Sequence, residues 1–157
     1  MTGNASRAAR AALLAVLCSA LIAGCALFNR GGGDRPQPVI RVTWVSVAMP
    51  PNINGNWPVP VELVRVRNEA LVQTLLQTET DAWFGDAGAN FRVANPDAFF
   101  DAWEIVPGTS IAPVNVARHG RFGGVLFCGL REPVPPVRVA HRGWLRITVD
   151  EAGCVIQ

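Results

Sequence analysis

The sequence predicts a mainly β protein: a two-sheet β-sandwich with one short helical insertion between its second and third strands. Three observations carry that prediction. Beyond residue 38, short runs rich in Val, Ile, Phe and Trp alternate with clusters of Gly, Pro, Asn and Asp, the pattern of seven or so short strands. One stretch, about 68–100, breaks this pattern with apolar residues at helical spacing. Half of the 157 residues are apolar, enough to build a core and too many for an intrinsically disordered chain.

Residues 39–48 read as the first strand, β-branched and aromatic, with Arg41, Thr43 and Ser46 among apolar neighbours. Residues 49–58 are a long loop dense in turn formers, and Asn54-Gly55 is its strongest turn signal. Residues 59–66 read as the second strand, where Pro60 marks either a sheet edge or a strand start. Asn68 is placed as a helix N-cap, with Glu69 in the first turn and Leu71, Val72, Leu75 and Leu76 along one face. Thr80 is read as the cap of a second short turn through Trp83-Phe84, broken by Gly85 and Gly88, and Asn95-Pro96 opens another turn before Phe99-Phe100. Strands are expected at 102–106, closed by Pro107-Gly108, and at 114–117. Residues 122–130 form the best candidate for a strand buried on both faces. Residues 132–136 are a proline-rich turn, 137–140 and 144–149 read as a hairpin around His141-Arg142-Gly143, and Val155-Ile156 extends one edge.

The segment ahead of the domain is organised differently. Arg7 and Arg10 form a positive start, residues 11–22 an apolar stretch, and Ala23-Gly24 precede Cys25. Leu21-Ile22-Ala23-Gly24-Cys25 resembles the lipobox of bacterial lipoproteins. That resemblance implies cleavage before Cys25 and acylation of Cys25. A transmembrane anchor fits less well, since it needs about 20 predominantly apolar residues and Gly24-Cys25 interrupt the run. The expected organisation is a signal peptide at 1–24, a lipidated Cys25 with a flexible Gly/Pro tether at 25–38, and the folded domain at 39–157. Removing the first 24 of 157 residues leaves 133, a length suited to one domain.

After that removal the chain carries 12 Arg, no Lys, and 12 Asp plus Glu, so it is neutral. A nucleic-acid binder needs a basic excess, and none is present. Cys128 and Cys154 remain as an even pair in an oxidising compartment and are expected to form a disulfide, with two separate buried thiols as the alternative. Catalytic patterns are weak. His119 and His141 lie in turns, no close Cys/His cluster offers a metal site, and Cys128 sits in an apolar strand where a thiol is inert. Asp97 and Asp101 are four apart and fit a solvated helix face. Gly120-Arg121-Phe122-Gly123-Gly124 lacks the lysine and context of a phosphate loop. No enzymatic activity, metal or cofactor is expected beyond the covalent lipid. Of Trp44, Trp57, Trp83, Trp103 and Trp144, most are expected in the core. Trp57 either projects from its loop as a protein contact or folds back over the sandwich.

The order of these motifs resembles the TssJ family, the outer-membrane lipoproteins of the bacterial type VI secretion system. The matching features are the lipobox, the loop Asn52-Ile53-Asn54-Gly55-Asn56-Trp57-Pro58, the strand carrying Arg65, Pro107-Gly108, and the apolar run from Phe122 to Arg131. The second-strand tyrosine, the 80–100 insertion and the cysteine pair depart from the family pattern, which marks a divergent member. The resemblance implies a transthyretin-like sandwich and attachment to the outer membrane, with the domain in the periplasm. It also implies binding of a TssM-like inner-membrane protein's periplasmic region through Asn52, Ile53, Asn54, Gly55, Asn56 and Trp57. No small-molecule substrate is expected. Other readings are a lipoprotein of another envelope-spanning machine, of pilotin or conjugation type, and a periplasmic ligand-binding sandwich or small hydrolase.

Overall fold

Alternating apolar residues pair into strands, and unbroken apolar runs become strands covered on both faces. In the computed structural model, which describes residues 40–116, 122–140 and 142–157, they form two four-stranded sheets. β1 (Arg41–Ala48), β4 (Ser110–Asn115), β7 (Arg142–Asp150) and β8 (Gly153–Ile156) run in the order β4-β1-β7-β8. β2 (Val59–Val66), β3 (Phe99–Ile105), β5 (Gly123–Cys128) and β6 (Val137–Val139) run in the order β3-β2-β5-β6. Every pairing is antiparallel except β1 with β7. The expected two-sheet sandwich with an insertion between the second and third strands is the fold. The signal segment, Cys25, the tether, His119 and His141 lie outside the described residues.

Two apolar clusters hold it together. Between the sheets, Val42, Val45 and Val47 of β1 and Leu145, Ile147 and Val149 of β7 pack with Val59, Val61 and Leu63 of β2 and Leu126 of β5. Each such buried side chain contributes about 1.5–3 kcal/mol. On the far side of the second sheet, Val64, Val66, Val125 and Phe127 are covered by the helical insertion. β2 and β5 are therefore buried on both faces, which explains the unbroken apolar run of β5. β2 is a central strand, so Pro60 marks its start and not an edge.

The insertion begins with α1 (Glu69–Leu76), capped as expected: the Leu71 N–H donates to Asn68 Oδ1 at 2.9 Å. α1 buries Val72 and Leu75 against the sheet. A Cβ at Gly123 would sit 2.7 Å from Val72 Cγ2, so the bare backbone there lets helix and strand approach. Then follow α2 (Thr80–Ala82), a π-helical turn (Trp83–Ala87) and α3 (Gly88–Ala94).

Several expectations are corrected. Thr80 is no cap; it is buried, and its hydroxyl donates to the Val134 carbonyl at 2.6 Å. A β-branched hydroxyl with a carbonyl within reach is better satisfied there than at an exposed helix start. Asp97 and Asp101 share no helix face: Asp97 lies in the turn after α3, 2.8 Å from Arg67, and Asp101 lies on β3, 2.6 Å from buried Arg65. The third strand starts at Phe99, because Phe99 and Phe100 pair with Arg65 and Val64. The fourth is Ser110–Asn115, with Pro113 accommodated where the register with β1 slips. β6 and β7 are not a hairpin. β6 pairs with β5 and β7 with β1 and β8, so the chain changes sheets between them, near Gly143 at φ +87°. Their inward residues face the same core from opposite sides, which a single hairpin could not achieve. Finally, most tryptophans are not core. Trp83 is buried and Trp103 partly so, whereas Trp44, Trp57 and Trp144 are 40%, 60% and 47% exposed. Trp44 and Trp144 lie on the outward side of the first sheet, which no other layer covers among the described residues.

Candidate functional site

The loop 49–58 leaves β1 for the second sheet and is held in an unusual backbone state. Asn52, Asn54 and Asn56 have φ of 65°, 53° and 64°, and Gly55 has 61°. Left-handed backbone costs about 1–2 kcal/mol for most residues but is tolerated by Asn and Gly, which is why this loop is built of them. The rest is tied down. Met49 is buried, and its backbone exchanges hydrogen bonds with the Pro107-Gly108 turn, Gly108 N–H to Met49 O at 2.9 Å and Met49 N–H to Thr109 O at 3.0 Å. Ile53 packs on the inter-sheet core. Asn54 is the keystone: its Oδ1 accepts from the Arg131 N–H at 2.8 Å and its Nδ2 donates to the Trp57 carbonyl at 3.2 Å.

This scaffold presents Trp57 outward, and the Arg131 guanidinium sits 5.9 Å from its ring centroid. Of the two local alternatives for Trp57, the projecting one is observed. Beside it runs an open groove of about 490 Å³ lined by Asn54, Gly55, Leu130, Arg131, Glu132 and Glu151. Strand directions explain the convergence. β1 and β7 end at the end of the sandwich where β2 begins, and β5, antiparallel to β2, ends there too.

The structure also brings Cys128 and Cys154 together, with Cα atoms 6.0 Å apart, the usual span of a disulfide. Cys128 ends β5 and Cys154 lies on β8, so the bridge joins the two sheets next to the groove. Sequence reasoning missed Arg131 and Phe84. Phe84 of the insertion is exposed and lies over Gly129, the residue before Leu130 of the groove: a Cβ at Gly129 would meet its ring carbons at 3.1 Å. Arg131 was within reach of sequence reasoning, since it follows the β5 run directly; Phe84 had no local signal.

The charged groups near the insertion are structural. Glu62 on β2 is buried and accepts from Arg92 at 2.5 and 2.6 Å and from the Trp83 indole N–H at 2.9 Å. Trp83 stacks on Phe127 with centroids 4.4 Å apart. On the surface, Arg138 and then Gln73 hydrogen-bond Glu69 and hold its carboxyl below the ordinary 4.5, while Glu69 raises Arg138. Among the described residues no group of three or more His, Cys, Asp or Glu could hold a metal ion, and no helix is long and apolar enough to cross a membrane.

Fold and site thus define a β-sandwich that displays a stiff aromatic loop at one end. Among solved structures, the fold is similar to that of Serratia marcescens Lip, described as a membrane-bound component of the type VI secretion system. The TM-score is 0.54 at 10% identity, over 73% of this chain and 94% of that one. It is also similar to TssJ1, a type VI secretion lipoprotein from Pseudomonas aeruginosa, at TM-score 0.48 and 16% identity, over 74% of this chain and 95% of that one. At these identities the likeness is one of fold. No protein-family model matches the chain, and no curated protein sequence matches it.

Proposed function

We propose that this chain is a divergent TssJ-like lipoprotein: a non-enzymatic assembly component of a type VI secretion membrane complex, anchored to the outer membrane through acyl chains on Cys25. The loop bearing Trp57 grips the periplasmic region of an inner-membrane partner of TssM type. The observation that carries this reading is the loop itself, four left-handed residues locked by Asn54 around an exposed tryptophan, on a fold shared with Lip. Preordered aromatic display is what a protein-contact hot spot requires, because little entropy is lost on docking.

The mechanism is mechanical. The tether enters β1 at Arg41 and the loop leaves it after Ala48, so the two attachments sit at opposite ends of a strand about 26 Å long. Tension between the membranes then runs along β1 and is resisted by its ladders to β4 and β7. Two or more acyl chains suffice for stable anchoring at about 0.8 kcal/mol per buried methylene.

The test is calorimetric titration with the partner's periplasmic region, over an interface of about 1,200–2,000 Å². Trp57→Ala with Asn54→Ala is expected to weaken binding by about 30-fold or more; unchanged affinity refutes the loop assignment. Cys25→Ser is expected to abolish lipid labelling and membrane fractionation.

A further inference from the structure

We propose a second membrane contact: the outward face of the β4-β1-β7-β8 sheet, at its tether end, lies against the anionic headgroup surface of the bilayer that carries the anchor. This rests on the lipoprotein reading above. The parallel register pairs Arg41 with Arg142 and Trp44 with Trp144, and places Ser46 opposite Arg146. Both strands therefore start at the end where the chain arrives from Cys25. Trp44 and Trp144 are neighbours on this face and stay 40% and 47% exposed. The Arg146 guanidinium lies 5.1 Å from the Trp144 ring centroid, and Arg41 is exposed.

Charge selects the occupant. The four strands of this sheet contain three arginines and one acid, Asp150, which lies at the far end of β7. The outer side of the other sheet is covered by the helical insertion, so that face is not open in the same way. Tryptophan favours the headgroup level of a bilayer, where one end of the ring is apolar and the other wet. Arginine adds attraction to anionic lipid. The 15 residue-to-residue steps from Cys25 to Ile40 span at most about 50 Å, so the tether alone leaves the domain's orientation open. The aromatic and basic face sets it, with the tether end against the bilayer and Trp57 pointing away toward its partner.

The experiment uses the full lipidated protein reconstituted into phosphatidylcholine vesicles with about 30% phosphatidylglycerol and a shallow nitroxide-labelled phosphatidylcholine. Two of the five tryptophans sit on this face, so wild-type emission is expected to fall by about a third relative to label-free vesicles. Trp44→Leu with Trp144→Leu is expected to stay anchored and lose most of that quenching. Arg41→Gln with Arg146→Gln, which leaves every tryptophan in place, is expected to reduce it at least twofold, about as much as omitting the phosphatidylglycerol. Co-flotation without quenching, or equal quenching in wild type and the tryptophan variant, overturns the surface assignment, as would burial of this face by another protein. Wild type that fails to co-float refutes the anchor reading, and this proposal with it.

Discussion

Arg92→Ala is the most informative single perturbation of the folded domain. Glu62 sits on central strand β2 with its side chain 3% exposed, and Arg92 reaches it from α3 at 2.5 Å. Removing one partner of a buried ion pair costs about 3–5 kcal/mol, because the other charge is left in a poor environment. Arg92 itself is 42% exposed, so water reaches part of the site and the lower end of that range applies. Its guanidinium also lies 5.4 Å from the Trp83 centroid and 5.2 Å from that of Phe100. Each contact is worth about 0.5–1 kcal/mol at a partly exposed site. The expected loss is about 4 kcal/mol, or roughly 14 °C in Tm. Urea unfolding followed by tryptophan fluorescence measures it, since Trp83 is the buried reporter beside the pair. The double variant Glu62→Met, Arg92→Met is expected to recover to within about 1–2 kcal/mol of wild type, because it leaves no orphaned charge. A loss below about 1 kcal/mol for Arg92→Ala, or a double variant as unstable as the sum of both singles, refutes the reasoning.

Two further outcomes are expected. Denaturing, non-reducing thiol titration should find neither Cys128 nor Cys154 reactive, and Cys128→Ala with Cys154→Ala should cost about 3–4 kcal/mol by the loop-entropy relation for a 26-residue separation; two titratable thiols would exclude the bridge. Glu69 is held below its ordinary 4.5 by Arg138, so its contribution is present above that value and lost as pH falls through the lowered one. The stability gap between wild type and Glu69→Gln should therefore exist at about pH 6 and close in acid; a gap that widens in acid would contradict this sign.

How much was legible from sequence follows the range of the forces involved. Asn68 announced its cap because the bond it makes closes within three residues. The Asn/Gly loop announced a special backbone because few residues tolerate positive φ. The β5 run announced two-sided burial through its lack of polar alternation. Failures came where a local signal has two tertiary outcomes. The residues around Gly143 serve a hairpin or a change of sheet equally well. A tryptophan in an alternating strand faces core or solvent according to which side the second sheet takes, and Trp44 and Trp144 took the open one. Arg131 reaches the groove from 77 positions beyond Asn54, so nothing within the loop itself marked it.

The sequence by itself determined the class of fold, the helical insertion and its place, the loop that displays Trp57, and the pair of cysteines available for a bridge. These depend on backbone preference, period and count, all of which are written locally. Only the tertiary structure decided which sheet each strand joined, that Glu62 is neutralised by Arg92 from the insertion, and that Trp57 stands beside Arg131. Those contacts join residues 30 or more positions apart, and their free energy exists only once the chain has closed around the core.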